Sequence, residues 1–142
     1  EARFYPEIAD ALVTGAVKTL KAAGYKHERL EVPGVFEIPA AINIALNSGD
    51  AQAGLDTYPG IIAFGCVIRG ETDHYDHVCR ESSRALMELT TKNILAFGFG
   101  VLTCENREQA EFRAAISGKN KGGEAAEACI RMMEIKRRFG LS

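Results

Sequence analysis

The sequence has 142 residues, of which 46% are hydrophobic and 25% are charged, and its formal net charge is −2. These values predict a single globular domain over residues 1–142. They give no indication of a nucleic-acid-binding or membrane protein, because the chain has no basic excess, no apolar run of membrane-spanning length and no recognisable signal peptide.

The first predicted element is a helix over residues 6–23, where apolar and small side chains recur at helical spacing. Pro6 suits the first helical turn, and Gly24 suits the position after the last one. The preceding Arg3-Phe4 is typical of the turn after a strand. We therefore expect a strand before residue 1.

A short strand is predicted over residues 28–32, ending at Pro33-Gly34. A second helix is expected from about Ile38 to Leu46. The polar stretch 48–60 is expected to form one connecting loop.

Residues 61–68 and 94–102 are continuous apolar runs, which are typical of parallel strands covered on both faces. A helix over about 74–92 lies between them, and two helices, at about 107–115 and 121–139, end the chain. This alternation predicts an α/β fold, a three-layer α/β/α sandwich. Its central sheet would be mostly parallel and four-stranded, with the first strand largely missing from this sequence.

Open parallel sheets bind ligands beyond the carboxyl ends of their strands. The polar and turn residues of this sequence collect at four such ends, which are Arg3-Phe4, Pro33–Glu37, Arg69–His74 and Thr103–Asn106. We therefore expect the functional site at this edge of the sheet.

The segment after residue 68 is the richest of the four. Gly70 permits a tight turn, and either Thr72 or Asp73 can cap the helix that follows. The free amide groups of a helix start can hold an anion. Glu71 does not suit a simple phosphate site, so an anion here would be held by the backbone.

The helix over 74–92 separates its two histidines by geometry. Its buried stripe includes Val78 and Leu86, and His77 falls on the opposite, solvent side. His74 falls at the boundary, beside the strand end, where an imidazole can exchange protons with a ligand near neutral pH. The alternative for His74 is a capping or packing role. A metal shared by the two histidines would lack a third ligand.

The other candidate residues each have a structural explanation as well. Glu37 can complement a helix dipole, and Phe36 and Phe99 can pack in the core. Arg113 by itself is typical of a surface position, and Lys121 stands in a glycine-rich turn that can simply be solvated.

The cysteines, Cys66, Cys79, Cys104 and Cys129, are widely spaced and lie in or beside apolar or helical stretches. This usage predicts reduced, mostly buried thiols in a cytoplasmic protein rather than disulfides or a zinc site.

Four segments together resemble the lumazine synthase family, and the match runs over nearly the whole chain. They are Val35–Pro39, Gly65–His74, Phe99–Asn106 and Asn120–Gly122. The resemblance implies a flavodoxin-like fold and a transferase of riboflavin biosynthesis without a metal or organic cofactor. Such an enzyme condenses 5-amino-6-(D-ribitylamino)uracil with 3,4-dihydroxy-2-butanone 4-phosphate, giving 6,7-dimethyl-8-ribityllumazine, phosphate and water.

The resemblance also implies a role for each matched residue. It assigns proton transfer to His74 and substrate binding to the others. For the pyrimidine, Phe4 stacks on the ring, the backbone of Cys66, Val67 and Ile68 contacts the uracil, and Val35, Phe36 and Glu37 hold the ribityl chain. For the sugar phosphate, Glu71, Thr72 and Arg113 hold the phosphate and Lys121 lies near it, while Phe99 of the neighbouring subunit forms a wall beside the ring.

The family resemblance further implies a homo-oligomer, a cyclic pentamer with active sites between subunits. In some members twelve pentamers form an icosahedral shell. Phe112 and residues 115–120 depart from the family pattern, so the sequence leaves both assemblies open.

Two other functions remain open at this point, and a flavodoxin-like electron carrier is a weaker third, because no typical phosphate-loop signature follows the strands. An archaeal-type riboflavin synthase would dismutate two lumazines, and the presence of His74 with Arg113 favours a reaction that has a phosphate to hold. A non-catalytic paralogue that binds flavin or lumazine would not need Phe4, Glu37, His74 and Arg113 together.

Overall fold

The computed structural model describes residues 1–48 and 58–141, and in these ranges five α-helices and one short 3-10 helix surround a parallel sheet. Most of the predicted loop 48–60 lies outside the described residues. The elements are α1 (Pro6–Ala22), a 3-10 helix (Val35–Glu37), α2 (Ile38–Leu46), β1 (Ile61–Ile68), α3 (His74–Lys92), β2 (Phe97–Cys104), α4 (Arg107–Ala114) and α5 (Lys121–Arg138). The predicted helices are confirmed within one or two residues at their ends.

The sheet is built around β1. This strand runs parallel to β2, with Ile61 opposite Phe97 and Ile68 opposite Cys104. On the other side of β1 lie residues 1–3, whose Ala2 N–H donates to the Phe64 carbonyl at 2.8 Å. The order across the sheet is therefore the segment at Val32, residues 1–3, β1 and β2.

The predicted strand over 28–32 is not a regular strand: Val32 forms an isolated parallel bridge with Ala2, and Leu30 O accepts from Glu1 N at 2.6 Å. The physical reason is that residues 28–31 are exposed and mostly charged, so an extended conformation there would bury no apolar surface. Residues 1–3 also offer only a short backbone for pairing. Of the four strands expected, two are regular in the described part of the chain.

The second strand begins later than predicted, at Phe97 rather than residue 94. Ile94 adopts a left-handed backbone conformation, with φ of 52°, just after α3 ends. A branched side chain rarely adopts this conformation, and here it turns the chain out of the helix before the strand can start. The apolar pattern alone does not distinguish this turn from the strand.

Helices cover both faces of the sheet. Helices α1, α4 and α5 pack on one face, around Leu12, Phe64 and Leu102. Helices α2 and α3 pack on the other, around Ala63 and Leu86. The predicted three-layer α/β architecture, which is consistent with a flavodoxin-like fold, is confirmed. In the two described ranges no helix has the length and apolar character needed to cross a membrane.

Candidate active site

The carboxyl edge of the sheet carries exposed aromatic and acidic side chains from two chain segments. Phe4, which follows the short pairing segment, is 70% exposed. Phe36 of the 3-10 helix is 57% exposed, and its neighbour Glu37 is also exposed. Val35, at 4% exposure, packs in the core instead. Only the backbone of Val35 is therefore available to a ligand.

The carboxyl half of β1 has an edge with no strand beside it. Within the described ranges, residues 1–4 make a single hydrogen bond to β1, from Ala2 N to Phe64 O. Because peptide groups alternate in direction along a strand, the N–H and C=O groups of Cys66 and Ile68 point to the same side as those of Phe64. This edge offers main-chain donors and acceptors beside the exposed aromatic ring of the first segment.

The thiols of Cys66 and Cys104 point away from this edge, into the core on the face of the sheet that α1 and α4 cover. Burial raises the pKa of the Cys66 thiol to about 12 and also raises that of Cys104. Both thiols are therefore neutral near pH 7 and poorly suited to nucleophilic attack. All four cysteines are free, and Cys66, Cys104 and Cys129 are buried, which confirms the prediction that most of these thiols are buried.

His74 is the first residue of α3, and its side chain is exposed. Its backbone N–H lies 3.4 Å from Thr72 Oγ1, a long contact, so Thr72 rather than Asp73 caps this turn. Asp73 occupies the cap position, but its carboxylate pairs with His77 Nε2 at 3.2 Å. The prediction that His77 lies on the solvent side is confirmed, while His74 lies at the strand ends as expected.

Arg113 lies on α4, which packs on the opposite face of the sheet from α3. Its guanidinium reaches toward Gln109 O, at 3.5 Å, and lies close enough to Cys104 to act on that thiol electrostatically. Lys121 begins α5 and pairs with Glu124 at 2.6 Å. Across the described ranges, no hydrogen bond or ion pair joins Arg113 or Lys121 to the His74 segment.

Phe99 lies far from the other candidates within one chain. It stands opposite Ala63 in the middle of β2 and is 47% exposed on the α3 side of the sheet. At about 3.3 Å per residue, it lies about 16 Å before Cys104 at the carboxyl end of the strand. One copy of the chain does not bring Phe99 together with His74.

A mostly apolar cavity of about 490 Å³ lies at the other end of β1, lined by residues that include Ile61, Ile62 and Ile42. None of the predicted site residues lines it. The candidate site is thus an open surface rather than a closed pocket. In the described part of the chain, no cluster of three or more His, Cys, Asp or Glu residues could hold a metal ion.

Sequence reasoning missed the side-chain cluster that joins the strand ends to α3. Arg69, the residue after β1, contacts Glu105 and Asp76 and lies over the ring of Tyr75. The sequence did contain a signal for this cluster. An arginine that directly follows an apolar strand stays at the surface, where it pairs with other groups at the carboxyl edge of the sheet. Pairwise spacing could not identify those partners.

Comparison with known proteins decides the family. The model of the 6,7-dimethyl-8-ribityllumazine synthase family matches residues 1–137. The chain belongs to this family. The resemblance predicted from the four sequence segments is therefore confirmed.

Named relatives match this chain over most of their lengths. The 6,7-dimethyl-8-ribityllumazine synthase of Paramagnetospirillum magneticum is 47% identical over 142 residues, covering 100% of this chain and 95% of the relative. The enzyme of the same name from Bartonella tribocorum is 51% identical, covering 99% and 89%. The 6,7-dimethyl-8-ribityllumazine synthase 1 of Rhizobium meliloti is also 51% identical, covering 99% and 90%.

Proposed function

We propose that this chain condenses 5-amino-6-(D-ribitylamino)uracil with 3,4-dihydroxy-2-butanone 4-phosphate to make 6,7-dimethyl-8-ribityllumazine, at the carboxyl edge of the sheet. Family membership gives the reaction class, a transferase. The observation that carries the placement is the meeting of three features there: the exposed Phe4 ring, the open edge of β1 and the exposed His74.

The pyrimidine substrate fits between Phe4 and β1. An exposed aromatic ring gives a face on which the heterocycle stacks, as neighbouring aromatic rings do in proteins. The uracil ring carries an N–H flanked by two carbonyl groups, which complements the outward N–H and C=O groups of the Cys66–Ile68 backbone. Val67 completes this stretch of strand and is half-buried. The Cys66 side chain takes no part, because it points into the core.

The ribityl chain fits along the 3-10 helix Val35–Glu37. Its hydroxyl groups need hydrogen-bond acceptors and donors, which the Glu37 carboxylate and the backbone of this helix supply. Phe36 provides an apolar flank at 57% exposure. Val35 contributes through its backbone and through the packing that holds the helix on β1.

The sugar phosphate fits against the segment that leads into α3. The backbone at Glu71 and Thr72, together with the start of α3, presents amide groups to an anion. The planar guanidinium of Arg113 suits a phosphate dianion through paired hydrogen bonds. Lys121 adds positive charge near the same site only if it leaves Glu124, to which it is paired at 2.6 Å.

His74 carries the proton transfers. The 5-amino group attacks the ketone carbonyl and the adduct loses water, which requires a proton on the departing oxygen. Removal of a proton from the adjacent, hydroxyl-bearing carbon expels phosphate and leaves an enol, which takes up a proton at its terminal carbon to become a methyl ketone. The ribitylamino nitrogen then attacks this new carbonyl, and a second water leaves as the ring closes. One exposed imidazole beside the strand ends can accept and return these protons near neutral pH. Binding the two substrates side by side supplies much of the remaining acceleration.

The active site is completed between two copies of the chain. Phe99 lies in mid-strand and Arg113 lies on the opposite face of the sheet from His74, so a second copy must bring both to the His74 segment. A cyclic pentamer, with or without assembly into a shell, provides such heterologous contacts. Light scattering after gel filtration should give about five times the 15.4 kDa chain mass, or a multiple of it. A monomer that is fully active would overturn this part of the proposal.

The cytoplasm is the proposed compartment, since four cysteines without a disulfide suit a reducing environment. The reaction as proposed requires no metal or organic cofactor, and its partners are small molecules and further copies of the chain.

A direct assay tests the function. Purified protein is mixed with both substrates, and lumazine absorbance and fluorescence are followed against a blank without protein. Acceleration that requires both substrates supports the proposal. Folded protein that gives none would overturn it, and conversion of lumazine to riboflavin, or flavin binding without turnover, would then distinguish the two rival functions.

A further inference from the structure

A cluster around Arg69 ties the end of β1 to its neighbours. The Arg69 backbone N–H donates to Cys104 O at 2.9 Å and so extends the sheet by one residue. Its side chain makes an ion pair from Nε to Glu105 Oε2 at 3.0 Å. A second pair joins Nη1 to the Asp76 carboxylate at 3.4 Å. The side chain therefore bridges the residue after β2 and the first turn of α3.

The same guanidinium lies over an aromatic ring. Its central carbon is 4.2 Å from the centroid of the Tyr75 ring, within cation–π distance. The Tyr75 hydroxyl lies beside Thr103 of β2 and Cys79 of α3. Arg69 thus contacts Tyr75 and Asp76, the two residues that directly follow His74.

The segment between Arg69 and His74 has few other contacts to hold it. A side chain at Gly70 would meet no atom within 4 Å. The Asp73 side chain makes no capping hydrogen bond to α3, and the contact from His74 N to Thr72 is long at 3.4 Å. The Asp73 carbonyl accepts from Asp76 N at 3.0 Å and its carboxylate pairs with His77, so this segment is held from the first turn of α3. Arg69 holds the same turn through Tyr75 and Asp76 and thereby helps to set the direction in which His74 leaves the strand end.

An arginine is needed for this arrangement. Its planar group can stack on a ring while its edge donates to two carboxylates, whereas a lysine offers a single point charge. Because Arg69 is paired with two carboxylates, the cluster has an excess of negative charge and presents no free cation to a phosphate. Phosphate binding is thus not the role of Arg69.

We propose that Arg69 is a positioning residue that orients His74 and the 70–73 segment for the sugar-phosphate half of the reaction. This inference rests on the proposed function. It differs from a role in folding alone, because it requires that removal of Arg69 act on the chemistry through His74 and leave the pyrimidine site unchanged.

The test compares Arg69→Met with Arg84→Met. Arg84, which lies on α3, is a matched control. It also pairs with two carboxylates, Glu81 and Glu88, at 3.0 Å each, but on the solvent side of the helix. We expect Arg69→Met to lower kcat about tenfold to a hundredfold, as misplacement of a catalytic group does. The KM for the butanone phosphate should rise, and the KM for the pyrimidine should stay within about twofold. Arg84→Met should match wild type.

A double-mutant comparison gives the sharper readout. If Arg69 acts through His74, adding Arg69→Met to His74→Ala should lower kcat by less than about threefold more, because the group it positions is already gone. Independent, multiplying losses would overturn the proposal. So would an Arg69→Met variant that behaves like Arg84→Met, or one in which both KM values and the Tm change together.

A conservative variant keeps the test valid if Arg69→Met does not fold. Arg69→Lys retains the charge but cannot stack and bridge together, so it should show the same kcat and KM pattern with a Tm near that of wild type. Full activity of Arg69→Lys would overturn the proposal. Inactivity of the wild-type protein itself would instead refute the proposed function, and that result is known before any variant is assayed.

Discussion

The two faces of the sheet are packed in different ways. On the α1, α4 and α5 face, small residues bring helix backbones into contact, and a side chain at Gly122 would overlap the Leu12 carbonyl group. On the α2 and α3 face, large apolar side chains remain exposed, including Ile44 at 73% and Met87 at 64%. The first face provides a tight framework of helix contacts, whereas the second carries the His74 helix; exposed apolar side chains occur on both, since Phe112 on α4 is 54% exposed.

This difference separates stability from activity. Substitutions that add a side chain at a helix contact of the tight layer should unfold the protein, because a close-packed backbone contact cannot relax around the added atoms. Substitutions at the strand ends on the α3 side should lower activity in a protein that still folds, since His74 and its neighbours are exposed and bury little surface. Four predictions follow from this contrast, from the largest expected effect to the smallest.

Gly122→Val should have the largest effect on folding. Its Cβ would overlap the Leu12 carbonyl, so α1 and α5 would have to separate, at a cost of about 3 kcal/mol or more. Gly70→Ala is the control for stability, because no atom lies within 4 Å of its added carbon. Urea unfolding measures both variants. A Gly122→Val protein as stable as wild type would contradict the tight contact.

His74→Ala should lower kcat by about a hundredfold or more, the usual range for losing a general acid–base group, without changing the Tm. His77→Ala is the matched control, because His77 lies one turn further along α3 with its side chain 65% exposed to solvent. Steady-state kinetics with both substrates compare the two. Equal losses from both histidines would contradict a specific role for His74.

Arg113→Ala should raise the KM for the butanone phosphate about tenfold or more, because a charge-assisted pair with the phosphate is lost, while the KM for the pyrimidine changes little. Arg131→Ala, on α5 and paired with Glu134 at 2.9 Å, serves as the control for losing a surface arginine. An unchanged KM for the phosphate substrate in Arg113→Ala would remove Arg113 from the site.

The smallest effect should be that of Cys66→Ala on the free energy of unfolding at alkaline pH. Burial raises the pKa of the Cys66 thiol from 9.0 to about 12, so above pH 9 the unfolded chain loses this proton while the folded chain keeps it. The contribution of Cys66 is thus complete below pH 9 and declines as the pH rises toward 12. Urea unfolding at several pH values should show a shallower decline for Cys66→Ala. Parallel curves for variant and wild type would contradict this account.

The sequence predicted the helices well because their signals are local. Asn106 illustrates this, since its side chain caps α4 by accepting from the N–H of Gln109, three residues further on, at 2.9 Å. The strand over 28–32 failed because strand formation needs a partner, which a single segment does not reveal. The predicted strand start at residue 94 was wrong for a similar reason. The apolar side chain of Ile94 suits a strand, whereas its backbone forms a left-handed turn.

The candidate site was predictable in location but not in the direction of its side chains. The strand-end rule placed His74, Phe4 and Glu37 at the carboxyl edge of the sheet, which is where they lie in the structure. It could not show that Val35 is buried, at 4% exposure, while the next residue, Phe36, is exposed, because a small rotation of the 3-10 helix would exchange their positions. Nor could it find the Arg69 cluster, which joins Asp76 on α3 to Glu105, a residue that lies after β2 and 36 positions beyond Arg69.

The central claim is that the catalytic site lies at the carboxyl edge of the sheet and is completed by a second copy of the chain. Co-expression of His74→Ala with Arg113→Glu tests it most directly, because each variant alone lacks one half of every site. If the halves come from neighbouring copies in a ring, random mixing should restore about a quarter of the sites. Recovery of activity near that level is the expected result. Mixed assemblies with no more activity than the separate variants would contradict the claim.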